Sequence, residues 1–417
     1  MNVDKKNKDI KPDKKSINLL EKLFHDKKFK ELEIETKKLI EKYPKIAMLH
    51  NILGLANQKQ GRLNDAISNF EKAILINPNF AFAHNNLGNV LKDLKKFDDA
   101  IKNYKKSLNI NPKYVDPYYN QGLLYKKINK YEDSIKNLKL AINLNPNLIE
   151  AYMDLGAVLT NIGKFDEAIE NYQKVLDLKP NLNWAYSNIF FTLYYLEKDK
   201  SDYYFSQIKK FRSSLEKINK NLIEKYQFNP KPDKLKIGFI SGDFKQHPVG
   251  YLLKDTLKYL KKNNLKLFAY SNLDKEDNYS IKLKTYFSSW NKIYNKTDTE
   301  IVNKIRKDGI HILIDLSGHS AKNRLPIFIN KPAPIQITWG GYPGSTGIPE
   351  IDYIIGDPYV TPTKSSEKFT EKICRLPNIW ISLTTPEYEI KIKELPAIKN
   401  GYVTFGSFNN LSKVNDS

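Results

Sequence analysis

Cysteine is almost absent from these 417 residues. Cys374 stands alone, which excludes a disulfide framework and any zinc site built on cysteines, and fits a reducing cytoplasm. Long apolar runs are missing as well. The stretch from Trp184 to Leu196 comes nearest, and Ser187 and Asn188 interrupt it well short of the ~18–20 apolar residues that a membrane-spanning helix needs. Residues 1–16 are mostly lysine, aspartate and asparagine with no apolar centre, so they are no secretory signal and read as a disordered basic lead-in. Arginine is scarce: Arg62, Arg212, Arg306, Arg324 and Arg375 are the only five among 68 basic residues. The formal charge of +21 therefore does not point to nucleic acid, whose readers lean on the bidentate guanidinium. Lysine travels here with asparagine and isoleucine, the mark of an A/T-rich genome, which explains the excess without a function. The six histidines show no H-E-x-x-H spacing, and no G-x-S-x-G elbow or Walker A loop occurs, so no metal is expected.

What is present begins with a period. Pro44, Pro78, Pro112, Pro146 and Pro180 stand 34 residues apart, the spacing of the tetratricopeptide repeat. Clear units run 47–80, 81–114, 115–148 and 149–182, with a degenerate one before them and a partial one after, so that repeats are expected over 17–200. Gly54, Gly88, Gly122 and Gly156 share one phase, where the first helix of a pair presses on its partner. Ala66, Ala100, Ser134 and Ala168 share a second small position, and Phe70, Tyr104, Leu138 and Tyr172 a large one. The expected architecture is a right-handed α-solenoid whose concave face is lined by the first helix of each pair. One position of that helix reads Ile52, Asn86, Asn120, Asp154 and Asn188. Such a row can hydrogen-bond the backbone of an extended protein partner, or it can simply be solvated; both readings stand at this stage. Exposed solenoid edges also make a homo-oligomer an expectation.

From about residue 201 the phase is lost, and 201–232 reads as a helical linker ending in Asn229-Pro230-Lys231-Pro232. A different pattern follows. Apolar strands at 235–241, 265–271 and 310–316 alternate with helices at 250–261 and 299–307, and further apolar runs lie at 335–338, 353–356 and 402–408. This is the pattern of a parallel sheet covered on both faces, in which ligands sit beyond the carboxyl ends of the strands. Three clusters fall there: Ser241 to Pro248 with His247, Asp315 to Arg324 with His319, and the turn Gly340 to Gly347. Asp308, just ahead of the third strand, reads as an exposed residue on spacing alone.

Taken together, these motifs resemble a known family. The repeats, then Asp243-Phe244 with His247-Pro248, Asp315-Leu316-Ser317-Gly318-His319 with Asn323-Arg324-Leu325, Pro332-Ala333-Pro334-Ile335-Gln336, Trp339-Gly340-Gly341-Tyr342-Pro343-Gly344 and Phe405 to Lys413 are similar to the O-linked N-acetylglucosamine transferases, including the SPINDLY-like branch. The resemblance implies repeats followed by one Rossmann-like half of a GT-B glycosyltransferase at 233–399, with the second half beginning at 400–417. It implies inverting, metal-independent transfer of N-acetylglucosamine from the nucleotide sugar UDP-N-acetylglucosamine, with no cofactor, to Ser or Thr of protein acceptors held by the repeats through Asn86, Asn120 and Asn188. His247 matches a histidine at the reacting centre, Asp308 a carboxylate implicated in proton removal, and Lys413 the lysine that neutralises the departing diphosphate. His319 falls in the active-site loop, and Tyr342, Pro343 and Gly344 border the acceptor groove. Tyr251 stands where many relatives carry a second histidine. Since the diphosphate cradle and uracil pocket would follow Ser417, the chain as written is expected to be inactive alone and to bind UDP weakly or not at all. Two alternatives remain at this stage: a non-enzymatic repeat scaffold with a degenerate or truncated transferase domain, or transfer of another sugar, such as fucose from GDP-fucose.

Overall fold

The computed structural model describes residues 11–196, 201–219, 232–364, 368–381, 398 and 401–402. The chain falls into two compact units, 1–162 and 163–417. Lys413 and the expected strand at 402–408, apart from Tyr402, lie outside the described residues.

The first unit is a row of helical hairpins: α1 (Lys14–His25) with α2 (Phe29–Lys42), α3 (Ala47–Lys59) with α4 (Leu63–Ile76), α5 (Ala81–Asp93) with α6 (Phe97–Ile110), α7 (Val115–Lys127) with α8 (Tyr131–Leu144), and then α9 (Ile149–Asn161). Each Asn-Pro pair ends a second helix by the same chemistry. Asn77, Asn111 and Asn145 are C-caps whose side-chain oxygens accept from the N–H two residues on, each at 3.1 Å, and the proline that follows has no N–H to continue the helix. The phased glycines are where the helices of a pair meet. A methyl group on Gly54, Gly88 or Gly122 would lie 2.5, 2.7 or 2.8 Å from the side chain of Phe70, Tyr104 or Leu138. Those three side chains are wholly buried, so the large position of one helix fills the space that the glycine of the other leaves.

The second unit opens with α10 (Phe165–Leu178), α11 (Asn183–Leu193) and α12 (Ser201–Asn219). It continues as β1 (Leu235–Ser241), α13 (Pro248–Lys261), β2 (Leu265–Ser271), α14 (Asn278–Lys284), β3 (Ser289–Lys292), α15 (Asp298–Asp308), β4 (Ile312–Asp315), a 3-10 turn (Leu325–Asn330), β5 (Ile335–Thr338), β6 (Tyr353–Gly356) and β7 (Lys372–Arg375). Among the described residues seven strands form one parallel sheet, in the order β3-β2-β1-β4-β5-β6-β7. Ile237 and Phe239 of β1, Leu267 and Ala269 of β2 and Ile314 of β4 pack with Val249, Leu253 and Leu257 of α13 to form the core on one face. Residues 201–219, the first part of the expected helical linker, form α12, and Ile208, Phe211 and Leu215 make a buried apolar stripe along it. The helix is fixed to the sheet's loops by the Arg212 guanidinium on Glu350 (3.2 and 3.0 Å) and by the Tyr204 hydroxyl on the Ser345 carbonyl (2.5 Å). Among the described residues no helix is long and apolar enough to cross a membrane.

The glycine contacts give a direct expectation. Gly88→Ala drives a methyl into the buried Tyr104 ring and should cost about 1–3 kcal/mol of stability in urea unfolding. Gly61→Ala, at a position with open space but a φ of +79°, should cost about 1 kcal/mol through backbone strain alone; equal losses at both sites would disprove the packing account.

Candidate active site

The strand order reverses between β1 and β4, and in such sheets the ligand crevice lies at the carboxyl ends of the strands flanking the reversal. Two loops meet there. The loop after β1 turns at Gly242, where a methyl would sit 2.7 Å from Cβ of Lys322 in the loop after β4. It then runs to His247, the N-cap of α13, with Pro248 at the first helical position. Gly250 lets the helix come in close, since a side chain there would meet the Lys245 carbonyl at 2.2 Å. The His247 ring is thereby held in one pose. Its Nδ1 accepts from the Val249 N–H at 3.3 Å and lies 3.9 Å from the Asp243 carboxylate. An Nδ1 that accepts leaves the proton of the neutral ring on Nε2, and the side chain is 39% exposed. Nε2–H is thus a donor free of partners among the described residues.

Arg324, which sequence placed in the cluster with His319, is committed to structure. Its guanidinium donates to Asp298 (3.0 Å), Asn272 (3.2 Å) and the carbonyls of Ile293 and Tyr294, bracing the loops after β2 and β3.

His319 has a different situation from the expected substrate-facing one. It is 2% exposed, enclosed by Phe190, Phe211 and Tyr342 at ring separations of 4.5, 5.6 and 5.3 Å. Its Nε2 donates to the Thr346 carbonyl (3.0 Å), which leaves Nδ1 to accept from the Ser187 hydroxyl of α11 (3.1 Å). Asn323 donates to the same hydroxyl at 3.2 Å. Thr346 and Ser345 are held in turn by Glu371, a buried carboxylate just before β7. Burial holds the His319 imidazole down to about pKa 3. Asp315, at the end of β4, ties the loop from below by accepting from Gly318 N–H (2.7 Å), Ser317 N–H (3.1 Å) and the Thr338 hydroxyl (2.9 Å). Burial pushes its carboxyl up to about 6 in spite of those donors.

The expected groove residues follow His319 into the interior. Tyr342 is 2% exposed, with its hydroxyl on the Phe190 carbonyl (3.2 Å). Gly344 abuts Tyr194, where a methyl would lie 2.3 Å from the ring, and Pro343 is half-buried between them. In place of an open border to a groove, these residues and α11 form one packed wall. Asp308 lies at the amino ends of the strands, the opposite edge from His247. It accepts from the Tyr270 hydroxyl (2.8 Å) and Lys304 (2.6 Å), while its carbonyl accepts from Lys236 at the start of β1 (2.8 Å); the fold does not bring it to His247. In the first unit, Asn86 donates to Asn51 and Asn120 to Asn85, both at 3.0 Å, so the phased asparagines first of all join successive repeats. Asn188 is half-buried on α11.

Ser187, Thr346 and Glu371 escaped the sequence reading. Ser187 showed there only as a break in an apolar stretch, and nothing near Glu371 marks it; the partner of each is 25 to 132 residues away.

The buried ring makes stability depend on pH. Unfolded, His319 takes a proton near pH 6.5, whereas folded it stays neutral to about pH 3. Acidification below 6.5 therefore favours the unfolded state, which binds the extra proton. Asp315 runs the other way between its ordinary 3.8 and about 6, where the folded state binds the proton first. His319→Gln cannot charge, so its stability should fall less than the wild type's between pH 7 and 5, by about 2 kcal/mol in urea unfolding. Parallel curves would show that the ring is not held neutral.

Residues 193–383 match the model for glycosyl transferase family 41, while 54–95, 88–129, 122–163 and 149–182 match tetratricopeptide repeats. A tomato (Solanum lycopersicum) protein named "Probable UDP-N-acetylglucosamine--peptide N-acetylglucosaminyltransferase SPINDLY" is 37% identical over 184 residues, 43% of this chain and 20% of that one. A Caenorhabditis elegans UDP-N-acetylglucosamine--peptide N-acetylglucosaminyltransferase is 34% identical over 149 residues, 35% of this chain and 13% of that one. The chain thus spans about a fifth of the length of the SPINDLY relatives it matches. A mutant of the Thermobaculum terrenum O-GlcNAc transferase superposes with a TM-score of 0.65 at 26% identity, over 80% of this chain and 63% of that one. Tetratricopeptide repeats leading into a segment that matches glycosyl transferase family 41 make this chain similar to the O-linked N-acetylglucosamine transferases and SPINDLY-like proteins.

Proposed function

We propose that this chain serves a protein O-glycosyltransferase that moves N-acetylglucosamine from UDP-N-acetylglucosamine to Ser or Thr hydroxyls, with the repeats holding the acceptor protein. The observation that carries the reading is a half-exposed, rigidly posed His247 at the sheet's switch point, within a domain matched by family 41. In the reaction the acceptor oxygen bonds to the sugar's anomeric carbon as the bond to the diphosphate breaks, the diphosphate leaves with the electron pair, and the hydroxyl's proton passes to an oxygen of the departing diphosphate. The role assigned to Lys413 is to offset that charge.

Its cap geometry gives His247 a specific part. With Nδ1 accepting from the helix N-terminus, the ring presents Nε2–H and has no free lone pair to take a proton. His247 is therefore a hydrogen-bond donor to an oxygen of the sugar nucleotide, and not the base that receives the acceptor's proton. Asp308, at the far edge of the sheet, is assigned to bracing the start of β4 and not to proton removal.

The test uses the gene product purified from its source organism, supplied with UDP-[14C]N-acetylglucosamine or labelled GDP-fucose, and reads label on Ser and Thr of acceptor protein. Transfer from the UDP sugar is the expected result. Transfer only from GDP-fucose would reassign the donor, and none from either would favour a scaffold without enzymatic activity. His247→Ala should lower kcat/KM by about 100-fold or more, whereas His247→Gln, which keeps an N–H donor, should stay within about tenfold of the wild type. Equal losses in the two variants would restore the base.

A further inference from the structure

The first helices of the repeat unit build one slot three times over. Each slot takes the fifth and twelfth residues of one first helix and the sixth of the next. Between α7 and α9 it holds Tyr119, Lys126 and Asp154. There the carboxylate accepts from the tyrosine hydroxyl and from the lysine ammonium, each at 2.9 Å, and the charges close on each other. Between α3 and α5 the slot is neutral, with Asn51, Gln58 and Asn86, and the two asparagines bonded at 3.0 Å. The middle slot, between α5 and α7, is Asn85, Lys92 and Asn120. It keeps the asparagine bond at 3.0 Å, and it keeps the lysine, but Asn120 stands where the next repeat has its aspartate.

Lys92 is consequently a half-buried cation with no ion pair among the described residues. Its charged neighbours are Asp93, beside it on the same helix, and Lys127 of α7, which repels it; burial, the largest influence, pulls its pKa below the ordinary lysine value. A partly desolvated ammonium without an ion-pair partner is a costly arrangement that an incoming carboxylate relieves. The wider row argues for one anion and against a polyanion. Helices α3, α5, α7 and α9 together carry four lysines and four acidic residues, so the first helices are balanced although the whole chain is at +21. A phosphate backbone finds no track here, whereas a peptide of mixed composition does.

We propose that Lys92 takes the carboxylate of an Asp or Glu side chain from an extended segment of a protein partner, which occupies in the middle slot the place that Asp154 fills in the next. The proposal rests on the reading that the repeats hold the acceptor, and it adds a sequence preference to it: acceptor segments with an acidic residue are favoured.

The test is fluorescence anisotropy of the 417-residue protein with two fluorescein-labelled dodecapeptides, both C-terminally amidated. One is a Ser/Thr/Ala sequence with two glutamates, and the other has glutamine at those places. The glutamate peptide should bind about tenfold more tightly at low salt, and the margin should shrink at 300 mM salt. Lys92→Met should remove the margin and Lys92→Arg should keep it. Asn120→Asp, which recreates the Lys126–Asp154 pair internally, should remove it as well, and circular dichroism melts would confirm that each variant is folded. Equal affinities in the wild type, or a margin that survives Lys92→Met, would overturn the carboxylate site and leave peptide holding intact. Failure of both peptides to bind would overturn both readings. Stronger binding of an oligo-dT dodecamer than of the glutamate peptide would replace the protein partner with a nucleic acid.

Discussion

A buried imidazole that must stay uncharged governs the junction between helix and sheet in the second unit. His319 has no water to fall back on, so each ring nitrogen needs a partner in place before the ring can be enclosed. One partner comes from α11, as Ser187, and the other from the loop after β5, as Thr346. That loop reaches the ring only because its glycines bring backbone against neighbours with no side chain between: Gly341 against the Leu316 carbonyl, Gly344 against Tyr194 and Gly347 against Ile208. Glu371 then holds the loop from β7. Helix, two loops and an edge strand are thus required by one residue, and a network with any member missing would leave a buried polar atom unpaired.

The two histidines of the crevice show how little residue type alone decides. Each accepts a hydrogen bond on Nδ1 and keeps its neutral proton on Nε2. In His319 that proton is spent on a backbone carbonyl inside an aromatic cage, and the residue is structural. In His247 the same proton faces outward from a helix cap, with no partner among the described residues. Burial, not the imidazole, sets the two apart.

Much of this was legible in the sequence, and for definite reasons. The 34-residue phase repeats the same few contacts, so Gly88 and Tyr104 are readable as packing positions without a structure, although the large residue was expected to pack into the neighbouring unit and in fact fills the space at the glycine of its own. Strands such as Leu235–Ser241 and Ile335–Thr338 are apolar runs long enough to register, whereas β3 (Ser-Trp-Asn-Lys) and β7 (Lys-Ile-Cys-Arg) are short edge strands with polar faces and leave no such trace. The asparagine row was visible, but its rungs between Asn86 and Asn51 join neighbouring repeats, a use that composition does not distinguish from binding. His319 and Asp308 were read by motif, and motif carries no information on which edge of a sheet a residue occupies or what covers it. The partners of His319 lie too far along the chain for local pattern to find them.

The division of the chain between Ile162 and Gly163 falls within the 149–182 repeat of the sequence, after α9 and before α10, and not between one repeat and the next. Helix α10 therefore keeps company with α11 downstream. Unequal crossing-over in the gene adds or deletes whole modules, and any such event upstream of this turn leaves Ser187, Tyr194 and Arg212 in register with the loops they hold. The array is free to change its length over generations while the wall beside the crevice is inherited unaltered.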